Sequence, residues 1–143
     1  MSLDSRDLIE RSEELKQQVL DSFLETFEHY ADQTETFEDI LFEEEEIQSW
    51  KEDWLDEIEE ITDIERLEDE ISPYAEDSFE DGIFLIEEVD FQDYCEEFVE
   101  DCGYISRDMP SLIRNNINWE GIADDMRQDY TEVEFRGTNY LYR

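Results

Sequence analysis

The side chains able to do chemistry in this chain are overwhelmingly carboxylates: 46 Asp and Glu, against 10 Lys and Arg, one histidine and two cysteines. Carboxylates three or four residues apart on a helix have Cβ atoms about 5 to 6 Å apart. Such pairs could act as acid and base, hold a hard cation, or present fixed negative charge to a partner. With this many acids close pairs are inevitable, so pairing alone does not point to acid–base catalysis. His29, the only histidine, lies between Glu28 and Tyr30 on a helical stripe, where a lone imidazole reads as a surface or satisfied core residue rather than a base. Zinc and iron sites need clustered Cys and His that the chain cannot supply. Neither a Gly-rich phosphate loop nor a nucleophile elbow occurs. The sequence therefore predicts a non-enzyme with no catalytic residue, cofactor or metal site.

Calcium is the one metal with a specific pattern to weigh. Residues 77–88 partly match a twelve-residue EF-hand loop, with Asp77 first, Asp81 fifth, Gly82 sixth, Phe84 eighth and Glu88 twelfth. Phe79 occupies the third position, which requires an oxygen ligand, so chance alignment in an acidic chain accounts for the match. Loose cation binding needs no dedicated site.

Charge is the dominant signal. Between residues 17 and 106 there are 34 acidic residues against two basic ones, Lys51 and Arg66, while apolar and aromatic residues recur throughout. A disordered acidic tail lacks that apolar content, so this is a folded body with a negative surface. The formal net charge of -36 equals that of roughly 18 base pairs of duplex DNA. Helix surfaces normally mix both signs and gain i to i+4 pairs; here like charges stand at those spacings and destabilise. Glu43, Glu44, Glu45, Glu46, Asp53, Asp56, Glu57, Glu59, Glu60 and Asp63 are a concentrated instance. Glu68, Asp69 and Glu70 continue it, then Glu76, Asp77, Glu80 and Asp81, and Glu96, Glu97, Glu100 and Asp101 follow in a later helix. On a rigid helix these side chains would form an imitation of a phosphate row. The expected partner is a basic, DNA-binding protein; direct contact with nucleic acid or a membrane surface is disfavoured by repulsion. Alternatives left open are a chaperone-like binder of basic, histone-like proteins, a calcium-binding acidic module, and a halophilic surface, which would also spare lysine.

The elements that must carry this charge read as follows. Leu8, Leu15, Val19, Phe23, Phe27 and Tyr30 form the apolar stripe of a helix from Asp4 to about Ala31, with Asp4 or Ser5 able to cap its start. A polar break at 32–36 precedes an apolar patch of Phe37, Ile40, Leu41 and Phe42. Ile47, Trp50, Trp54, Ile58, Ile61, Ile64, Leu67 and Ile71 predict one long helix, or two kinked near Thr62 and Asp63, ending before Pro73. The stripe residues, both tryptophans included, read as core. Residues 83–86 predict a strand, 91–102 a helix stopped by Gly103, and Pro110 and Asn118 two short helices. Alternation around Val133 and Phe135, then Tyr140 and Tyr142, predicts a terminal hairpin. The fold class is thus α+β: a helical N-terminal part at 1–78 and a compact α/β lobe at 82–143, with an elongated acidic surface.

A 38% hydrophobic fraction with 13% aromatic residues is enough for a core without metal or disulfide staples. Cys95 and Cys102 lie about 10 Å apart along a helix axis, too far to bridge, and free thiols suit a reducing, cytoplasmic setting. No apolar run approaches a membrane span, and the first residues lack the apolar core of a signal peptide.

Some segments carry a family resemblance. Residues 91–103 (Phe91 to Gly103), 117–123 with Trp119 and Gly121, and Asp129, Tyr130, Thr131, Glu132, Val133, Glu134, Phe135 resemble the acidic ArdA-type antirestriction proteins and related phage proteins. The opening Asp4 to Arg11 is similar to the start of the same group. The resemblance implies a phage or mobile-element protein that imitates bent B-form DNA in the groove of a type I restriction–modification enzyme inside a bacterial host. It also implies an elongated, modular and often dimeric molecule. Residues from about Gln33 to Glu88 match nothing in that group, so the target could equally be a CRISPR effector.

Overall fold

The computed structural model of the protein describes residues 2–106 and 108–143. It is an α+β fold with a small antiparallel sheet and a C-terminal hairpin, and it divides into two compact units, residues 6–69 and residues 1–5 with 70–143.

In the first unit, helix α1 (Ser5–Thr26) is followed by a two-turn 3-10 helix at Glu28–Gln33 and single 3-10 turns at Phe37–Asp39 and Glu45–Ile47, then by helices α2 (Gln48–Asp53) and α3 (Leu55–Ile71). The stripe of α1 does what its spacing requires. Leu15, Val19, Leu20 and Phe23 pack with Ile40, Ile47, Trp50 and Ile61 in one buried cluster, with Phe27, Tyr30, Phe37, Phe42 and Trp54 around it. The Phe23 ring lies 5.3 Å from Trp50, edge to face, and the indole N–H of Trp50 donates to Ser22 Oγ at 3.0 Å. Both tryptophans are packing residues. The helix break falls at Trp54, whose φ of -110° and ψ of 13° leave the helical region, rather than near Thr62 and Asp63. Thr62 sits in unbroken helix, its hydroxyl donating to the Ile58 carbonyl at 2.9 Å. Glu43 to Glu46 precede α2 and lie in a loop and 3-10 turn, because Ile47 must turn inward and the Gln48 amide binds back to the carbonyls of Phe42 and Glu44 at 2.7 and 2.9 Å.

The second unit is built on a four-stranded antiparallel sheet of order β1-β2-β4-β3, comprising β1 (Ser2–Asp4), β2 (Phe84–Glu87), β3 (Thr131–Phe135) and β4 (Thr138–Tyr142). The hairpin joining β3 to β4 turns at Arg136 and Gly137 with φ of 49° and 82°, both positive, as a two-residue type I′ loop demands. Helix α4 (Phe91–Asp101), the single turn α5 (Ser111–Arg114) and helix α6 (Trp119–Arg127) complete the unit. Gly103, at φ +74°, ends α4, while the side chain of Asn118 caps α6 by accepting from the Gly121 amide at 3.0 Å. Phe91 and Cys95 of α4, Ala123 of α6, Ile86 and Leu141 form the core between helices and sheet.

β1 was not foreseen, and it places the first residues with the later part of the chain. Three residues are too few to show a period of two, yet Ser2, Leu3 and Asp4 pair with Ile86, Leu85 and Phe84 and so bring the start of the chain into the second unit. Ser5 ties the strand's end into the same unit. Its hydroxyl does not cap α1; it donates to the Phe79 carbonyl at 2.7 Å and accepts from the Ile83 amide at 2.6 Å, with no exposure to solvent. Ser5→Ala would strand a buried carbonyl and a buried amide. The expected loss is about 1–3 kcal/mol, seen as a lower denaturation midpoint at unchanged m-value, with Ser49→Ala as the neutral surface control.

Candidate acidic interface

Residues 6–69 hold 25 acidic and five basic residues. Four of the basic ones meet partners within the unit. Arg11 forks onto Glu60 at 3.1 and 3.3 Å, and Lys16 reaches Glu38 at 2.8 Å and Glu65 at 2.9 Å. Burial works against the Lys16 ammonium, but its bonds to Glu38 and Glu65 outweigh that and raise its pKa, and the same contact holds Glu38 below the usual carboxylate range. Arg66 pairs with Asp63 at 3.6 Å, and Lys51 lies 5.8 Å over the Phe42 ring. What remains outside is nearly pure negative charge.

That remainder has a pattern. On α1, Asp7, Glu10, Glu14, Asp21 and Glu25 are all exposed and fall within an arc of about 60° at 3.6 residues per turn. They form a stripe about 27 Å long on the side away from Leu15, Val19 and Phe23. On α3, Asp56 and Glu59 are exposed in a similar row that continues through Asp63 to Arg66, where the cation interrupts it; Asp69 is exposed beyond. Glu43, Glu44, Glu45 and Asp53 are exposed as well, the first three as a loop cluster rather than a helical row.

Several expected mimic residues are otherwise engaged. Glu60, Asp63, Glu76 and Glu100 are held by Arg11, Arg66, Arg143 and Arg114, so each is neutralised within its own unit. Glu57 and Glu68 lie on the packed side of α3 and are only partly exposed, with Glu57 Oε2 wholly buried. Glu46 accepts the Tyr30 hydroxyl and lies 3.5 Å from His29 Nε2. His29 is an exposed partner in this contact, with its ring 4.4 Å from that of Tyr30. In the other unit Glu70, Asp77, Glu80, Asp81, Glu97 and Asp101 are exposed, while Glu96 is partly buried on α4, where burial and neighbouring Asp93 push its pKa up.

The α1 stripe is an exposed acidic row that sequence reasoning passed over. Its signal was present as acids recurring every three or four residues, but Arg11 and Lys16 lie in the same segment and lower its net charge. Only the fold shows that those two cations leave the stripe for α3 and the 3-10 turn at residue 38.

Other candidate chemistries can be located directly. Residues 84–87 of the EF-hand-like segment form a strand, and Glu88 pairs with Arg127 at 3.1 Å. Among the described residues no group of three or more His, Cys, Asp or Glu is arranged to hold a metal ion, and no helix is long and apolar enough to cross a membrane. Cys95 is buried and Cys102 exposed, and both are free thiols. Compared with protein-family models, curated proteins and solved structures, the chain matches none.

Two measurements follow from this surface. Raising NaCl from 10 to 300 mM shortens the screening length from about 30 Å to below 10 Å. The thermal midpoint should then rise by roughly 3–5 °C, for on the order of 1 kcal/mol of relieved repulsion; a flat profile would remove repulsion as a force in this fold. The second concerns Tyr30, whose bond to Glu46 pushes its hydroxyl up to about 12 and holds the Glu46 carboxyl below its ordinary range. A raised tyrosine pKa stabilises the fold below pH 10 and that contribution disappears as pH rises through 12; the lowered Glu46 contributes above the ordinary carboxylate range and is lost in acid. In a spectrophotometric titration Tyr30→Phe should remove one late-ionising phenol, and in an NMR titration it should return Glu46 toward the normal range.

Proposed function

We propose that the chain is an acidic decoy for a DNA-binding protein of bacterial defence, occupying a basic groove in place of DNA. The observation that carries this reading is the separation of charge within residues 6–69: Arg11, Lys16 and Arg66 are spent on internal pairs, while the α1 stripe stays exposed and charged, Asp21 accepting only from the neutral Gln17 amide at 2.8 Å. Duplex DNA presents one charge per about 1.7 Å of axis, and one per about 3.4 Å on each strand. The five carboxylates of α1 give about one per 5.4 Å, so one stripe reaches somewhat more than half the line density of a single strand. Together with the α3 row it supplies fixed charges that a Lys- or Arg-lined channel meets with release of its own counterions. No covalent step is involved, and no cofactor is needed.

The ArdA-type resemblance of residues 91–135 supports a type I restriction–modification enzyme as target, and a CRISPR effector would be reached by the same physics. Capture from bacterial lysate at moderate salt, followed by elution with duplex DNA, tests the reading. The expected result is a DNA-binding defence protein that DNA displaces, with affinity falling steeply in salt. Charge reversal at Glu44, Glu45 and Asp56 should weaken binding modestly at each site, by roughly two- to fivefold, and cumulatively. The combined variant Glu10→Gln, Glu14→Gln, Asp21→Asn should do the same. Glu57 and Glu60 are poor probes, because reversing them also disturbs the packed side of α3 and the pair with Arg11. Bulk capture of histone-like proteins would replace the decoy by a charge chaperone, and a salt-insensitive complex would refute it.

A further inference from the structure

A groove of about 390 Å³ in the second unit sets exposed carboxylates beside an apolar floor. The floor is Phe84 and Ile86 of β2 with Tyr94 of α4, and one wall is the α4 row of Asp93 and Glu97, with Ser2 of β1 closing the end. The geometry follows from the fold. Phe84 and Ile86 lie on the same face of β2, the face on which Ile86 meets Phe91 and Cys95, but Phe84 lies at the start of the strand and is left 52% exposed. Asp93 and Glu97 are both exposed, one helical turn apart, and Glu97 stands three residues beyond Tyr94 on the same side of α4.

DNA itself offers no model for such a place, since a phosphate row has no aromatic floor. We propose that this groove takes an arginine side chain of the partner protein, its guanidinium plane laid on Phe84 and its N–H fork directed at Asp93 and Glu97. Arginine fits better than lysine for three reasons. The guanidinium is flat and stacks on aromatic rings, its fork matches carboxylates, and it is less strongly hydrated than an ammonium and so loses less on an apolar floor. A cation here also relieves the like-charge pair at Asp93 and Glu97. The groove would thus add a salt-resistant, residue-selective contact to an otherwise diffuse electrostatic complex. The inference rests on the decoy reading only for the partner's being a basic protein.

The test uses the full chain and two blocked tripeptides, acetyl-Ala-Arg-Ala-amide and acetyl-Ala-Lys-Ala-amide, followed by ¹⁵N–¹H correlation spectra. The arginine peptide should give saturable shifts confined to residues 2–4, 84–86 and 90–97, at least about threefold tighter than the lysine peptide. Phe84→Ala, at a half-exposed site that leaves the core intact, should abolish that preference, and Asp93→Asn with Glu97→Gln should weaken the arginine peptide itself. The Glu10, Glu14, Asp21 triple variant should leave both peptides unaffected. Equal binding of the two peptides, or shifts spread over α1 and α3, would overturn the proposal. DNA displacement from the captured partner is read separately: its absence with arginine selectivity intact overturns the decoy reading alone, and its presence without selectivity overturns the groove alone.

Discussion

Like-charge repulsion is the constraint to which the rest of this molecule is fitted. At -36 over 143 residues the surface opposes compaction, so the apolar clusters must hold without help from surface ion pairs of the usual number. The aromatic content answers that demand. Phe23, Phe27, Tyr30, Phe42 and Trp50 contact one another ring against ring, concentrating buried area in few residues where the acids crowd most. Basic residues are too scarce to scatter, and apart from Arg66, which pairs with Asp63 within α3, most of those with a mapped ion pair tie one segment to another: Arg11 and Lys16 link α1 to α3, Arg114 links α5 to α4, Arg127 links α6 to β3, and Arg143 reaches Glu76. These cations act as cross-links, and the negative surface is what is left once they have been assigned.

The same economy explains which parts of the molecule could be read in the sequence. Helix α1, α4 and the terminal hairpin announce themselves by strong periodicities, 3.6 or 2 residues, with Gly103 and the Arg136–Gly137 turn as punctuation. The break at Trp54 did not, because tryptophans four apart look the same in one helix as across a junction. β1 is too short for any pattern, and its partner lies some 80 residues away. The site was legible as composition but not as geometry. Charge counted along the chain points to 43–63, whereas Glu43 to Glu46 lie in a loop and turn, Glu57 is half inside, Glu60 is paired, and the cleanest stripe lies on α1 among cations that fold elsewhere. Where a lysine's head goes is a tertiary fact.

The placement of β1 has a bearing on how the protein is made. Residues 6–69 can bury their own cluster as soon as they leave the ribosome, but Ser2 to Asp4 find their partner only when β2 has emerged, and β4 and β3 complete the sheet at the far end of the chain. At synthesis rates of about 5–20 residues per second, β1 waits roughly 4–16 s for β2, and residues 6–69 are complete for only about the last 1–3 s of that wait. During that interval the exposed strand is held apart from other nascent chains by the charge of the unit that follows it. The acidic surface is thus its own escort during birth, before it meets any partner.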